Sequence, residues 1–144
     1  MSRILAGGKH LIVDGYACDP GRLADVERVR AFLDGLPERI GIKKIIPAYA
    51  FPWRDCQPED WGVTGFVLIS TSHIALHTFP ERAFLYADAF SCQNFNEKAV
   101  LRELAAEFNI RQMEARTLDR GLDFSRQAAT HVPGRAFCGG GGGG

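Results

Sequence analysis

Alternating and continuous runs of apolar residues along the chain predict six β-strands. The runs lie at residues 7–16, 42–49, 63–70, 73–79, 84–91 and 110–118. They are rich in β-branched and aromatic residues, and turn-forming residues bound them. Because the three runs between residues 63 and 91 follow one another with short connections, they predict an antiparallel meander. An irregular loop with prolines and tryptophans is expected before it, at residues 51–61.

Two other stretches carry apolar residues at intervals of three and four, the period of an amphipathic helix. Asp19 and Pro20 supply an N-cap and a first-turn proline for the first helix, which Pro37 and Gly41 should end. Its apolar stripe consists of Leu23, Val26, Val29, Leu33 and Leu36. Asn96 caps the second helix, whose stripe consists of Val100, Leu101, Leu104, Ala105 and Phe108. The predicted order is βαβ, βββ, αβ.

This order predicts an α+β fold, a two-layer sandwich in which an antiparallel sheet carries both helices on one face. The other face of the sheet then needs a cover, which favours a homodimer. We expect one domain at residues 1–120. Residues 121–144 are predicted to be a poorly structured tail, because they lose the pattern and end in a run of glycines.

Composition narrows the possible partners and compartments. The chain has 144 residues, 46% hydrophobic and 24% charged, as expected for one globular domain. Its 17 basic and 17 acidic residues cancel, so nucleic acid is not an expected partner. The N-terminal apolar runs are too short for a membrane span or a secretory signal, which predicts a cytoplasmic protein. Four cysteines scattered singly argue against a zinc site, and no metal is expected.

The most informative stretch runs from Gly62 to Cys92 and places Ser72, His77 and Cys92 at separations of five and fifteen residues. Taken singly, these three are a turn serine, a half-buried strand histidine and a small buried cysteine. Together they follow GVTG, STSH, HTFPE and FSC, an order that resembles the bacterial-type S-adenosylmethionine decarboxylase proenzymes, whose pattern reads approximately GVSG, SESH, HTWPE and FTC. The sequence GKHLIVDGYACDP is also similar to the first strand of that family, so the resemblance spans about residues 7–120.

The resemblance implies a pyruvoyl cofactor made from the chain itself. Ser72 would attack the carbonyl of Thr71 and become the pyruvoyl group, leaving fragments 1–71 and 72–144, and this group would bind the substrate amine as a Schiff base. His77 would remove the Ser72 Cα proton, since imidazole titrates near neutral pH. Cys92 would return a proton to the substrate after decarboxylation, and the Thr64 hydroxyl would bond the ester oxyanion. Because Ser72 and His77 are separated by an odd number of residues, an unbroken strand would place them on opposite faces, so a turn or bulge is expected near Ser72.

The same resemblance implies S-adenosylmethionine as the substrate, a role in polyamine (spermidine) synthesis, and a homodimer of processed protomers. Glu81 would bind the ribose, although an exposed turn carboxylate is the simpler interpretation. The aromatic residue that stacks on adenine lies in a loop longer than the usual form, and Phe51, Trp53 and Trp61 are its candidates.

Three departures from the family pattern leave alternatives open. Thr71 stands where the family has glutamate, Phe79 stands where it has tryptophan, and the loop at residues 51–61 is longer than the usual form. A chain that never cleaves would be a non-catalytic binding or regulatory subunit. A loop with Asp55, Glu59 and Asp60 could instead serve a pyruvoyl-dependent arginine or ornithine decarboxylase of the same fold.

Overall fold

The computed structural model describes residues 4–121, and the side chains from residue 7 onward. Its sheet has six antiparallel strands in the order β2-β3-β4-β5-β1-β6. The strands are β1 (Ile4–Tyr16), β2 (Tyr49–Trp53), β3 (Gly62–Ile69), β4 (Ser72–Phe79), β5 (Phe84–Gln93) and β6 (Gln112–Arg120). The helices are α1 (Pro20–Leu23), α2 (Val26–Arg39) and α3 (Glu97–Phe108), with 3₁₀ turns at Pro58–Asp60 and Pro80–Arg82. The predicted tail lies outside the described residues, apart from Gly121.

The helices pack on one face of the sheet, which confirms the predicted α+β sandwich. Apolar side chains of α2 and α3 meet those of the central strands, and the largest fully buried ones include Phe108, Leu11, Leu33, Leu36, Leu76 and Val67. None of the helices within residues 4–121 has the length and apolar character that a membrane span requires. The meander is also confirmed, because β3, β4 and β5 pair in sequence order.

The first helical stretch differs from its prediction, because it is two helices. Asp19 accepts hydrogen bonds from the first turn of α1, and Asp25 accepts one from Arg28 N in α2, so each aspartate caps a helix of its own. Pro37 does not end α2, which continues to Arg39. A proline in the last turn removes only one backbone donor, and the reversal comes at Gly41, whose φ of +77° suits glycine.

The predicted strand at 42–49 was wrong. That segment makes only an isolated bridge between Lys44 and Ile69, and β2 begins where the prediction ended and runs into the expected loop. Pro47 has no backbone N–H and restricts the residue before it, which works against a continuous ladder there. The Asp34 carboxylate, on α2, accepts a hydrogen bond from Ala48 N at 2.9 Å and fixes the entry to β2.

The glycines of the GVTG motif are explained by close packing. A Cβ at Gly62 would lie 1.7 Å from the Thr78 carbonyl oxygen, and one at Gly65 would lie 2.8 Å from that of Tyr49. Thr78 itself is buried. Its hydroxyl accepts from Val63 N at 2.9 Å and donates to the Leu23 carbonyl at 2.8 Å. The motif therefore joins β3, β4 and α1 in a way that leaves no room for a side chain at Gly62.

The sheet face opposite the helices, here called the open face, is not covered by any part of residues 4–121. Its large apolar side chains are between 37% and 58% exposed and come from five of the six strands: Ile12, Tyr49, Phe51, Trp53, Phe66, Leu68, Tyr86 and Leu118. An apolar patch of this extent on a sheet is typical of a surface that contacts another protein. Polar side chains, among them His77 and Asp88, lie between these residues.

Candidate active site

Ser72 is the first residue of β4 and follows the tight turn from β3. Its hydroxyl donates a hydrogen bond to the carbonyl oxygen of Thr71, the residue before it. The nucleophile predicted from the sequence is thus in contact with the carbonyl group that it would attack. The side chain is half-buried, and the turn at residues 70–71 precedes Ser72 rather than separating it from His77.

Cys92 lies at the same end of the sheet as Ser72. The register of β4 and β5 pairs His73 with Phe90, so continuing it two residues brings Cys92 level with Thr71. Alternation along β5 puts the Cys92 side chain on the open face with Phe90, and it is half-buried. Cys18, in contrast, is enclosed by the core, and burial raises the pKa of its thiol to about 11. Among the free cysteines of the described residues, only Cys92 lies at the end of the sheet where β4 begins at Ser72.

His77 lies on the open face, and its Nδ1 is hydrogen-bonded to the Thr64 hydroxyl across the β3–β4 pair. The strand between Ser72 and His77 is unbroken and in regular register with both neighbours. No bulge separates the two residues, and the only turn precedes Ser72. Five residues of extended strand span about 16 Å. The His77 of the same chain is therefore far beyond the distance of roughly 3 Å at which it could take the Ser72 Cα proton.

A second polar cluster on the open face was missed by the sequence analysis. The imidazole Nε2 atoms of His10 and His73 lie 2.8 Å and 2.9 Å from the same oxygen, Oδ2 of Asp88. An Arg120 guanidinium nitrogen lies 3.3 Å from Nδ1 of His10. The two histidines were visible in the GKH and STSH motifs. Their meeting depends on the register of β1, β4 and β5, which a single sequence does not reveal.

The ligand atoms of His10, His73 and Asp88 lie within 4.8 Å of one another, a spacing at which three such groups can hold a metal ion. The contact with Arg120 argues against that use. A guanidinium only donates hydrogen bonds, so Nδ1 of His10 accepts and its proton is carried on Nε2. A protonated Nε2 donates to Asp88 and has no lone pair for a metal.

The substrate-binding candidates fall into two groups. Phe51 is paired with Thr64 across β2 and β3, so it lies beside the Thr64–His77 hydrogen bond, and it is 54% exposed. Trp53, on the same edge strand, is 58% exposed. Trp61 precedes Gly62, the β3 partner of Trp53, and its indole Nε1 donates to Glu81 Oε1 at 3.2 Å. The Arg54 guanidinium covers one Trp61 ring face at 4.0 Å from the ring centroid.

Comparison with known proteins decides the family. A family model described as S-adenosylmethionine decarboxylase matches residues 9–121. The chain belongs to the S-adenosylmethionine decarboxylase family. This finding confirms the resemblance seen in the GVTG, STSH, HTFPE and FSC motifs.

Members of the S-adenosylmethionine decarboxylase family resemble the chain along most of its length. The S-adenosylmethionine decarboxylase proenzyme of Moorella thermoacetica is 32% identical over 85% of this chain and 94% of its own length. The proenzyme of Thermococcus kodakarensis is 26% identical over 92% and 89%. The crystal structure of the adenosylmethionine decarboxylase from Aquifex aeolicus superposes with a TM-score of 0.69 at 28% identity, covering 82% of this chain and 93% of that one.

The acidic residues of the loop do not form a cation pocket of the kind expected for the alternative amino-acid substrates. Asp60 is paired with Arg82, with 2.8 Å between Oδ1 and the guanidinium. Asp55 and Glu59 are exposed. In this member of the S-adenosylmethionine decarboxylase family, the loop acids are therefore a solvated surface with one ion pair.

Proposed function

We propose that this chain is a self-processing, pyruvoyl-dependent S-adenosylmethionine decarboxylase that supplies decarboxylated S-adenosylmethionine for polyamine synthesis. The observation that carries the proposal is the contact of the Ser72 hydroxyl with the Thr71 carbonyl, at the position where the family motif requires it. Thr71 replaces the usual glutamate without disturbing this contact, because the hydrogen bond uses only its backbone oxygen.

The processing steps follow from this contact. Ser72 Oγ bonds to the Thr71 carbonyl carbon, the Thr71–Ser72 C–N bond breaks, and the freed nitrogen takes up a proton, which leaves an ester. Removal of the Ser72 Cα proton then eliminates residues 1–71 with a carboxylate at Thr71. Hydrolysis of the remaining enamine releases ammonia and leaves residue 72 as the pyruvoyl group. A hydroxyl donor such as Thr64 can stabilise the oxyanion of the first step.

Once formed, the pyruvoyl group supplies a carbonyl that binds the substrate amine and accepts the electron pair released with carbon dioxide. The substrate α-carbon then needs a proton, and a thiol can deliver it. Cys92 is the free thiol next to residue 72, so we assign it this role. Aromatic faces that could stack on adenine are offered by Phe51, Trp53 and Trp61. The Glu81 carboxylate, beside Trp61, is an acceptor for the ribose hydroxyls.

The distance between Ser72 and His77 within one chain favours a homodimer in which a second copy supplies the base. Since His77 lies about 16 Å along β4 from Ser72, the base must come from elsewhere. The open face carries Thr64 and His77 at one place and Cys92 at another, close to the end of the sheet where β4 begins at Ser72, among exposed apolar side chains. Two copies that pack these faces about a two-fold axis bring the Thr64–His77 pair of each to the Ser72 of the other.

The test is the mass of the chain under denaturing conditions after incubation. We expect two fragments, residues 1–71 and a fragment from residue 72 whose N-terminus is a pyruvoyl group. Ser72→Ala should stay intact. His77→Ala should stop at the ester, which hydroxylamine then cuts. An intact wild-type chain would contradict the proposal and favour the non-catalytic subunit.

The substrate is tested separately on processed protein. Release of labelled carbon dioxide is measured from S-adenosylmethionine, arginine and ornithine in parallel. We expect release from S-adenosylmethionine alone, since in the loop Asp60 is paired with Arg82 and Asp55 and Glu59 are exposed, so the loop offers no buried carboxylate for a distal cation. Release from an amino acid alone would overturn the substrate assignment and leave the processing chemistry intact.

A further inference from the structure

Asp88 holds two histidines that the processing chemistry does not use. One of its oxygens accepts hydrogen bonds from Nε2 of His10 and Nε2 of His73, at 2.8 Å and 2.9 Å. The three side chains are 18%, 39% and 25% exposed for His10, His73 and Asp88, so the network is partly shielded from water. Charge-assisted hydrogen bonds in such a setting are stronger and better fixed than those on an open surface.

The proton positions in this network are determined by its partners. An ionised carboxylate only accepts, so both imidazoles donate through Nε2. Arg120 donates to the other nitrogen of His10 and fixes its tautomer. The network joins β4, β5, β1 and β6, which are neighbours in the sheet. Asp88 thus ties the strand that begins at Ser72 to the three strands beside it.

His73 is the residue next to Ser72, and its side chain is the first in β4 that is anchored on the open face. Self-cleavage requires the Ser72 hydroxyl to remain against the Thr71 carbonyl, and a displacement of about 1 Å can slow such a step by about a hundredfold. The hydroxyl itself lies beside a turn, where the chain has fewer ladder hydrogen bonds than in the strand. An anchor at residue 73 therefore restricts the motion that matters most for the attack.

We propose that Asp88 is a positioning residue for self-cleavage: through its hydrogen bond it anchors His73, and the anchored strand end holds the Ser72 hydroxyl against the Thr71 carbonyl. His10 and Arg120 act one step further out, by orienting Asp88. The inference rests on the proposed self-processing function and adds residues that the motif-based mechanism leaves without a task.

The test compares the first-order rate of self-cleavage between the wild type and its variants. Each precursor is freshly made by cell-free translation, and its cleavage is followed by denaturing mass spectrometry. Asp88→Ala removes both hydrogen bonds and should cleave at least tenfold more slowly than the wild type. Asp88→Asn keeps an amide oxygen that can accept them and should lie between the two. Asp14→Ala, which removes another acidic side chain from the open face, is the matched control and should cleave at the wild-type rate.

Two further readouts separate positioning from a general loss of stability. Because Asp88 acts through His73, the His73→Ala/Asp88→Ala double variant should be no slower than His73→Ala alone. Because positioning affects the attack itself, uncut Asp88→Ala chains should contain no ester and should resist hydroxylamine, unlike those of His77→Ala. The thermal unfolding midpoint of each variant shows that the chains are folded at the assay temperature.

Wild-type cleavage by Asp88→Ala, additive effects in the double variant, or accumulation of ester in Asp88→Ala would each overturn the inference, and the proposed function would stand. The inference would also be overturned if the loss of cleavage rate in Asp88→Ala equalled the fraction of that variant that is unfolded. An uncut wild-type chain would remove the proposed function and this inference with it.

Discussion

Cys92 and Ser72 occupy neighbouring positions at one end of the sheet, yet the two are expected to act at different stages. Ser72 contacts the bond that is cut, whereas the Cys92 thiol projects from β5 on the open face. Nothing in the self-cleavage steps requires a thiol, because the attack and the elimination need only the hydroxyl, an oxyanion donor and a base. Reprotonation of the substrate comes after processing.

The consequence can be measured with Cys92→Ala. We expect this variant to cleave into its two fragments and to lose at least about 90% of its carbon dioxide release, an effect of the size typical for loss of a general acid. Fragment masses and labelled carbon dioxide release are measured on the same sample. Cys56→Ala, which changes an exposed loop thiol, is the control and should keep full turnover. Full turnover in Cys92→Ala would exclude the thiol from the mechanism.

Individual site residues could be predicted from the sequence where a family motif specifies their spacing. Ser72 and Cys92 lie at the same end of the neighbouring strands β4 and β5, and their roles stay predictions. His77 could be named from the motif, but its distance from Ser72 within one chain became visible only with the unbroken register of β4. The network around Asp88 joins residues 10, 73 and 88, and no pattern in a single sequence indicates which strands become neighbours.

Among the elements, the connection from α2 to β2 depends on one carboxylate. Asp34 accepts a hydrogen bond from Ala48 N at 2.9 Å and lies 2.9 Å from Lys44 Nζ. The Ala48 N–H, followed by the Lys44 ammonium, lowers the pKa of Asp34 from its ordinary value of 3.8. The folded state therefore binds fewer protons at this site than the unfolded state.

The predicted effect is a pH-dependent loss of stability in Asp34→Ala. At neutral pH the variant should lose about 1 kcal/mol of unfolding free energy, the size of one hydrogen bond to a partly exposed charge. This difference is fully present above the ordinary pKa of 3.8 and should shrink as pH falls through 3.8 towards the lower folded value.

Urea unfolding between pH 3 and pH 7 measures the effect, in a Ser72→Ala background so that the chain stays whole. Glu38→Ala removes an exposed carboxylate from the same helix and serves as the control, with little change expected. An Asp34→Ala difference that is constant down to pH 3 would contradict the linkage.

Elements with a long periodic pattern were predicted well, and the short ones between prolines were not. The meander and α3 appear as expected because alternation and an Asn96 cap identify them. The first helix divides because Asp25 caps as well as Asp19, a competition that the apolar stripe alone does not reveal. Strand β2 was displaced because Pro47 interrupts the β-rich run, and pairing with β3 selects Tyr49–Trp53 instead.

For the whole molecule, the separation of Ser72 from His77 predicts that two inactive variants rescue each other. Ser72→Ala keeps the Thr64–His77 pair, and His77→Ala keeps the nucleophile. Each alone should remain uncut. Co-expressed, they should form mixed dimers in which the His77→Ala chain is cut and the Ser72→Ala chain is not, because the base reaches across the interface.

Denaturing mass spectrometry distinguishes the two chains by mass and reports which one is cut. Co-expression of Ser72→Ala with the double variant Thr64→Val/His77→Ala tests whether the pair acts as a unit, and rescue should occur there as well, since the pair is intact in the Ser72→Ala copy. Mixed samples that stay uncut would contradict a base supplied across the interface, and cleavage of His77→Ala by itself would show that His77 is not the base.

The two outermost strands have a consequence for how copies of the chain associate. Pro52 deprives β2 of one backbone donor, and β6 presents charged side chains at Glu114, Arg116 and Arg120. Both features discourage another strand from extending the sheet sideways. Growth into an open-ended fibre is thereby disfavoured at both margins of the sheet, whereas the proposed contact through the open face would end once two copies have met.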